Sequence, residues 1–565
     1  MTATASLLPL AAVLLPALAV GPILATRHRP NVREAWTFLA GGGTLVLAGL
    51  LARAVLAGAR PTTDLGTYVG GVGFVLRVDP FGTLFGLLAA TLWLVTSVYS
   101  VGYMRGLDEH GQGRYFAAFA ASIAATLGVA FAGNLLTLFV AYELLTVATY
   151  PLVVHAGTDD ARAAGRQYLA YTLAGGAAVF AGLVLVYLLA GSVAFVPGGL
   201  AGVASDPALA RVAFGLLVLG FGVKTAVVPL HTWLPNAMVA PTPVSGLLHA
   251  VAVVKSGAFG LGRVVAYVFG PDAVTGLGVG LPLAVLAATT MLYAGVLALR
   301  REKLKQALAY STVSQLSYIA LGFALAGRLS TFGAILHIPA HAFMKITLFF
   351  VAGLVYVETG ATYRDELAGI ARRLPVTMTA FAVAAAGLAG FPLVAGFVSK
   401  WYMVLGALAT DPGFGAVYLL AGGLKLLLFW PIVASAFFTD PEEAEDPAHD
   451  AAAAPHGGAP VASDGGSATP GDGTDGPAEA PGDGTSGPSG DLGGDDPAGD
   501  DYHAGHGSLP PAGGWTRPAS FREAPPALLG PVVAVAVGAV VLGVVPDWLP
   551  LWDLAEATVA EVFGP

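Results

Sequence analysis

The sequence predicts an all-α polytopic membrane protein of about fourteen transmembrane helices. Three observations predict it. Charged residues make up 11% of the 565 positions and mean hydropathy is +0.73, whereas soluble domains carry about 25% charged residues. Apolar stretches close to the ~20 residues needed to cross a bilayer recur along the chain. Basic residues collect in alternate connecting loops, as the positive-inside rule requires.

The apolar stretches are 4–25, 34–58, 80–102, 113–132, 134–155, 167–190, 210–230, 243–266, 278–299, 305–326, 331–355, 376–408, 416–438 and 526–549. The first has an Ala-Leu-Ala near position 18 but no basic residue before it, and it runs into Arg27, His28, Arg29 and Arg33. It reads as a first membrane helix whose basic end stays in the cytoplasm. With the N-terminus outside, the cytoplasmic loops hold Arg27, Arg29, Arg33, Arg105, Arg114, Arg162, Arg166, Arg300, Arg301, Lys303, Lys305, Arg364, Arg372 and Arg373. The opposite loops hold only Arg60, Arg77, Arg211 and Arg328. One span too many or too few in the middle would scramble that alternation.

Residues 1–439 therefore read as the membrane domain, with spans 1–13, and 526–565 as the last span with a short C-terminus. Between them, residues 440–525 hold 17 of the 36 acidic residues and 2 of the 27 Lys+Arg, so one segment sets the net charge of −9. Its Gly, Pro, Ala, Ser and Asp bury too little apolar surface to offset ordering entropy, and a disordered cytoplasmic insert is expected. His449, His456, His503 and His506 form two pairs too far apart in such a tract to define a metal site. The chain has no cysteine, which excludes thiolate-ligated iron–sulfur clusters, Cys-containing zinc sites and disulfides. No cofactor and no bound metal are expected.

Two spans carry helix breakers. In the seventh, Lys224-Thr-Ala-Val-Val-Pro229 runs into His231-Thr-Trp233-Leu-Pro235; in the twelfth, Gly387, Gly390, Pro392 and Gly396 precede Lys400. Proline removes an amide donor and frees backbone groups, and such breaks persist in a membrane only when buried in protein or lining a wet cavity. Two broken spans five apart point to an internal repeat with binding sites at the breaks.

Among the ionisable side chains inside the apolar stretches, five stand out: Glu143, Lys224, Lys255, Lys345 and Lys400. A charge at the bilayer centre costs roughly 2.5–3.5 kcal/mol, so their unpaired sum would be on the order of 10–20 kcal/mol, an upper bound because such groups pair or lose their charge. Ion or proton movement is the function such a set suggests. Glu143 and Lys224 are read as a switchable pair, in which moving or neutralising the carboxylate releases the lysine proton; the alternatives are a neutral buried acid and a static salt bridge. Lys255 can continue the relay. His249, six residues earlier, points away from it on a regular helix and is the weaker choice, at parity with a structural histidine. His337, His341 and Lys345 recur at intervals of four and share one helical stripe. A water-linked proton wire is favoured there over zinc, since no further carboxylate or Cys completes a site. Lys400 can end the path near one surface, with snorkelling to a headgroup as the alternative. Lys425 is also embedded, with no role assigned.

Longer motifs carry a resemblance. Trp233-Leu-Pro-Asn-Ala-Met-Val-Ala-Pro241-Thr-Pro-Val-Ser245 with Leu248-His249 and Val254-Lys255-Ser-Gly, then Lys305-Gln-Ala-Leu-Ala-Tyr310-Ser-Thr-Val-Ser-Gln315 and His341-Ala-Phe-Met-Lys345, resemble one family. It is that of the antiporter-like subunits of Mrp-type sodium/proton antiporters, respiratory complex I and membrane-bound hydrogenases, over roughly 75–440. The resemblance implies fourteen helices and two inverted five-helix repeats, about spans 4–8 and 9–13, with helices 7 and 12 broken. It implies Glu143 and Lys224 as the acid–lysine pair of the first half-channel, Lys255 as connecting lysine, His341 and Lys345 as central relay and Lys400 as terminal lysine.

The Asn236-to-Ser245 loop and a lysine at 400 look most like the large subunit of Mrp complexes and its complex I counterpart. Gly390-Phe-Pro392-Leu stands where the family commonly has two prolines, the 440–525 insert lies outside the shared pattern, and about 15 residues follow the last span instead of those relatives' further helices. The expected function is proton translocation within a multisubunit cation (Na+)/proton antiporter. The expected partners are other membrane subunits, protons, Na+ and the lipid of the plasma membrane, without nucleic acid. The rivals are a proton-pumping subunit of a redox complex, a non-conducting scaffold and a standalone transporter.

Overall fold

A computed structural model describes residues 3–439, 515 and 523–564. The expected disorder of the insert, its cytoplasmic placement and its four histidines lie outside the described residues.

The chain opens with a short strand, β1 (Ala3–Ala5), then α1 (Leu8–Ala25) and α2 (Pro30–Leu56). A hairpin of β2 (Arg60–Val69) and β3 (Val72–Arg77) follows, with β2 also parallel to β1 in a three-stranded sheet of order β1-β2-β3. Then come α3 (Pro80–Gly106), α4 (Gln112–Ala130), α5 (Leu135–Val153), α6 (Asp159–Ala190) and α7 (Pro207–Thr225). Next are α8 (Trp233–Asn236), α9 (Thr242–Ala250), α10 (Val253–Arg263), α11 (Gly270–Gly276), α12 (Gly280–Leu299), α13 (Leu304–Ala324) and α14 (Arg328–Thr359). The last are α15 (Pro375–Ala389), α16 (Ala395–Thr410), α17 (Pro412–Phe438), α18 (Pro526–Val544) and α19 (Pro550–Phe563).

Every expected span coincides with a helix or a broken pair. Twelve pass a test of length and hydropathy. The other two are α13 and the pair α15/α16. Helix α13 is less apolar because Ser311, Thr312, Ser314, Gln315 and Ser317 stand on it, all wholly buried. A polar transmembrane helix is stable only inside a bundle where its groups find partners.

The seventh span breaks after Thr225, where Ala226 takes φ 59°. The twelfth breaks between Ala389 and Ala395, where Gly390 takes φ 105°, a conformation that favours glycine. A third break, not expected from the sequence, falls at Val251 and Ala252 between α9 and α10. Its residues are apolar and carry no breaker signal.

The basic loop residues gather at one end. Arg33 donates to Gln112 and to Glu34, which also binds Arg105; Lys305 donates to the carbonyl of Ala240, and Arg364 to those of Leu299 and Arg301. At the same end Glu523 accepts from the amides of Val376 and Thr377, satisfying donors left open at the start of α15. At the opposite end α19, read from the sequence only as a short tail, packs on α3 and α14, and its Glu561 pairs with Arg60 beside the sheet. Asp79 caps α3 and holds Arg263 of α10 through two contacts of 2.5 and 2.8 Å, with the rings of Phe81, Phe195, Phe259 and Tyr267 around the guanidinium.

Candidate functional site

All eight expected site residues lie in the membrane domain. Lys224, His249, Lys255, His337, His341 and Lys345 are fully buried and Lys400 is 8% exposed; Glu143 is half-buried.

At the first break, Lys224 Nζ does not reach the Glu143 carboxylate. It donates to the carbonyl of the preceding residue, Tyr142, at 2.5 Å and lies 3.4 Å from the centre of the Tyr142 ring. Glu143 Oε1 is buried without a hydrogen-bond partner, although the Lys224 charge acts on it. The carboxylate instead occupies the space above Gly176 of α6, where an added Cβ would stand 2.2 Å from Oε1. The acid and the lysine are thus electrostatic neighbours in a broken-contact arrangement.

The central group is bonded directly. Lys255 Nζ lies 2.7 Å from His341 Nδ1, and His341 Nε2 is buried and unpartnered. His341 stands one turn from His337 on α14, with ring centroids 6.0 Å apart. His337 Nδ1 meets Ser399 Oγ and its Nε2 meets Gln315 Oε1, both at 2.8 Å. Gln315 Nε2 then donates to the carbonyl of Leu388, at the end of α15, and Lys400 Nζ donates to the same carbonyl while facing the Tyr318 ring. The orphaned carbonyl at the second break is where two site groups meet. Lys400 points inward and does not snorkel.

Lys345 shares the stripe of the two histidines but turns to α13, donating to Ser311 Oγ at 2.5 Å and to the Leu308 carbonyl at 3.0 Å. His249 and Lys255 do not share one regular helix, because the break at Val251 and Ala252 falls between them; the expected divergence of their side chains therefore does not apply. His249 packs on Phe349, has both ring nitrogens buried and unpartnered, and feels the charges of Lys345, Lys305 and Lys255.

Sequence reading missed Gln315, Ser399 and Ser314 as members of the network. Uncharged side chains in an apolar span are common, and only their position opposite the histidines marks them. Lys425, left without a role, is fully buried and donates to Ser314 Oγ at 2.7 Å. It stands in the fifth span of the second repeat, as Lys255 stands in the fifth span of the first.

Fold and site together define a polytopic membrane protein with a buried string of ionisable groups between two broken helices. Residues 132–424 match the family described as NADH:quinone oxidoreductase/Mrp antiporter, transmembrane. The chain belongs to that family. It is 34% identical over 371 residues to the N subunit of NADH-quinone oxidoreductase from Desulforudis audaxviator, taking in 65% of this chain and 73% of that protein. It is 36% identical over 347 residues to the A/B component of a probable K+/H+ antiporter from Rhizobium meliloti, taking in 60% of this chain but only 34% of that longer protein. Its fold is similar to that of a chain in the Mrp complex of Dietzia sp. DQ12-45-1b, with a TM-score of 0.77, 25% identity and coverage of 99% and 97% of the two chains.

Proposed function

We propose that this chain is the proton-translocating subunit of a multisubunit monovalent-cation/proton antiporter in the plasma membrane, with Na+ as the exchanged cation and residues 440–525 in the cytoplasm. The observation that carries this reading is the run from Lys255 through His341 and His337 to Gln315, the Leu388 carbonyl and Lys400. Proton exchange between neighbouring groups needs hydrogen-bond reach or one intervening water. The Lys255–His341 contact meets that condition directly; the His341–His337 step, with ring centroids 6.0 Å apart, and the step from His337 to Lys400 each need a bridging water, because Gln315 and Lys400 both donate to the Leu388 carbonyl and these amide groups position the chain without carrying the proton.

The contact between Lys255 and His341 constrains where a proton can sit. At 2.7 Å one nitrogen must accept, so the pair cannot be doubly cationic and still be bonded. A proton arriving from the first half-channel displaces the one held there toward His337. Glu143 and Lys224 supply the input: when the carboxylate swings toward Lys224 it holds the ammonium, and when it withdraws to Gly176 the lysine is free to deprotonate. Coupling to the cation is electrostatic, each proton position changing the field at the neighbouring protein of the complex.

The second reading, a pump component of a redox complex, is favoured by the identity to the N subunit of NADH-quinone oxidoreductase. One experiment separates the two. The tagged chain is purified from its native membrane, its companions are identified by mass spectrometry, and the assembly is reconstituted into liposomes. An antiporter gives dequenching of an internal pH dye on adding Na+, and companions without redox cofactors. Flavin- or cluster-bearing companions with quinone-dependent proton uptake would reject the antiporter reading, and a response to K+ alone would reject Na+.

A further inference from the structure

Where α3 gives way to α4 and α5 ends, three ligating side chains come together: Glu109, His110 and His155. One oxygen or nitrogen of each lies within 4.8 Å of the others. Glu109 Oε2 is 3.8 Å from His110 Nδ1 and 3.9 Å from His155 Nε2. The two imidazoles lie near-parallel with centroids 5.1 Å apart.

His155 is the observation that singles out this cluster. It is fully buried, yet neither ring nitrogen makes a hydrogen bond of ordinary geometry, the approach being a weak one to the His110 backbone. A buried polar group left unsatisfied costs about 1–3 kcal/mol, and a histidine buried only for packing is ordinarily satisfied. By contrast the His110 side chain is 54% exposed, which gives an ion a route in from solution.

We propose that Glu109, His110 and His155 form a binding site for a divalent transition ion, with Zn2+ as the natural occupant. Two imidazoles and one carboxylate with an open fourth position are a recurrent zinc ligand set. Tetrahedral zinc holds such atoms roughly 3.3 Å apart, so the spacing here needs only rotation of the exposed His110 ring and of the Glu109 carboxylate. Arg114 is a nearby cation acting on His155, and Glu109 supplies the negative charge that offsets it. The site reaches the membrane domain by charge: Glu109 acts electrostatically on Lys305, and Lys305 in turn on His249. A bound dication replaces a carboxylate charge with a net positive one there and slows proton access from the basic end.

The test uses the full chain in which His449, His456, His503 and His506 are replaced by Ala, removing competing ligands from the insert. After chelator washing, Zn2+ binding is measured by calorimetry and Co2+ by visible absorption. The expected result is one equivalent of Zn2+ and the absorption bands of tetrahedral Co2+, with His155→Ala, Glu109→Gln and His110→Ala each weakening binding roughly tenfold or more. His110 is exposed, so His110→Ala keeps the test sound should His155→Ala disturb packing. Absence of stoichiometric Zn2+ binding, or unchanged affinity in His110→Ala, would overturn the proposal.

Discussion

Lys255 Nζ and His341 Nδ1 meet at 2.7 Å in the middle of the protein, two basic groups sharing one proton position, and among the described residues no carboxylate is joined to either by a hydrogen bond or ion pair. Such a contact holds one proton or passes it on. The pair lies between the two broken helices, on the path proposed for the proton.

Gly176 gives the Glu143 carboxylate its resting place. A Cβ there would stand 2.2 Å from Oε1, so Gly176→Ala must move the carboxylate. Exchange in liposomes is expected to fall several-fold, as in Glu143→Ala, with normal amounts of assembled complex. Wild-type exchange in Gly176→Ala would show that this position is unimportant.

Gln315 joins His337 to the Leu388 carbonyl. Gln315→Leu leaves His337 Nε2 without a partner, at about 1–3 kcal/mol, while the Leu388 carbonyl keeps its bond from Lys400. The expected outcome is a thermal midpoint lowered by several degrees, together with a loss of exchange larger than that of a matched substitution at Ser317. A loss in melting alone would make Gln315 structural.

Lys425 bonds Ser314 next to Gln315, and its charge bears on both Lys345 and Lys400. Lys425→Ala removes the donor to Ser314 Oγ and is expected to lower the maximal rate of exchange a few-fold in a normally assembled complex. A wild-type rate in Lys425→Ala would leave Lys425 without a role in exchange.

Glu561, beside the sheet and outside the spans, has its carboxyl pushed up by burial, an effect that Arg60 opposes. A group raised in the folded state contributes stability below its unfolded pKa and loses it as pH rises through the folded value. The stability of the wild type relative to Glu561→Gln is therefore expected to decline as pH rises from the ordinary carboxylate range. Thermal melts of the two across acidic to neutral pH check this; a constant difference would contradict it.

The sequence displayed some of these features and hid others for physical reasons. Lysines within apolar stretches are visible because their insertion cost is large, and Pro229 and Pro392 announce breaks because proline cannot continue a helix. The break at Val251 and Ala252 gives no such sign, since tertiary packing sets it, and the regular-helix placement of His249 relative to Lys255 was lost with it. The expected contact between Glu143 and Lys224 became a bond from Lys224 to the Tyr142 carbonyl, because a one-residue offset along α5 lies below what spacing can resolve. Helix α19 is short and amphipathic, and only its docking on α3 and α14 makes it part of the fold. The zinc-ligand cluster joins two loops more than forty residues apart, a distance no local motif crosses.

The most direct test of the central claim is cation-driven proton exchange by the assembled complex in liposomes, carrying Lys255→Ala, His341→Ala or both. Each single substitution is expected to lower exchange to about a tenth or less of wild type, and the double variant to be no worse than the poorer single one, because groups acting as one unit are non-additive. Either single variant exchanging protons at the wild-type rate in a fully assembled complex would contradict that claim.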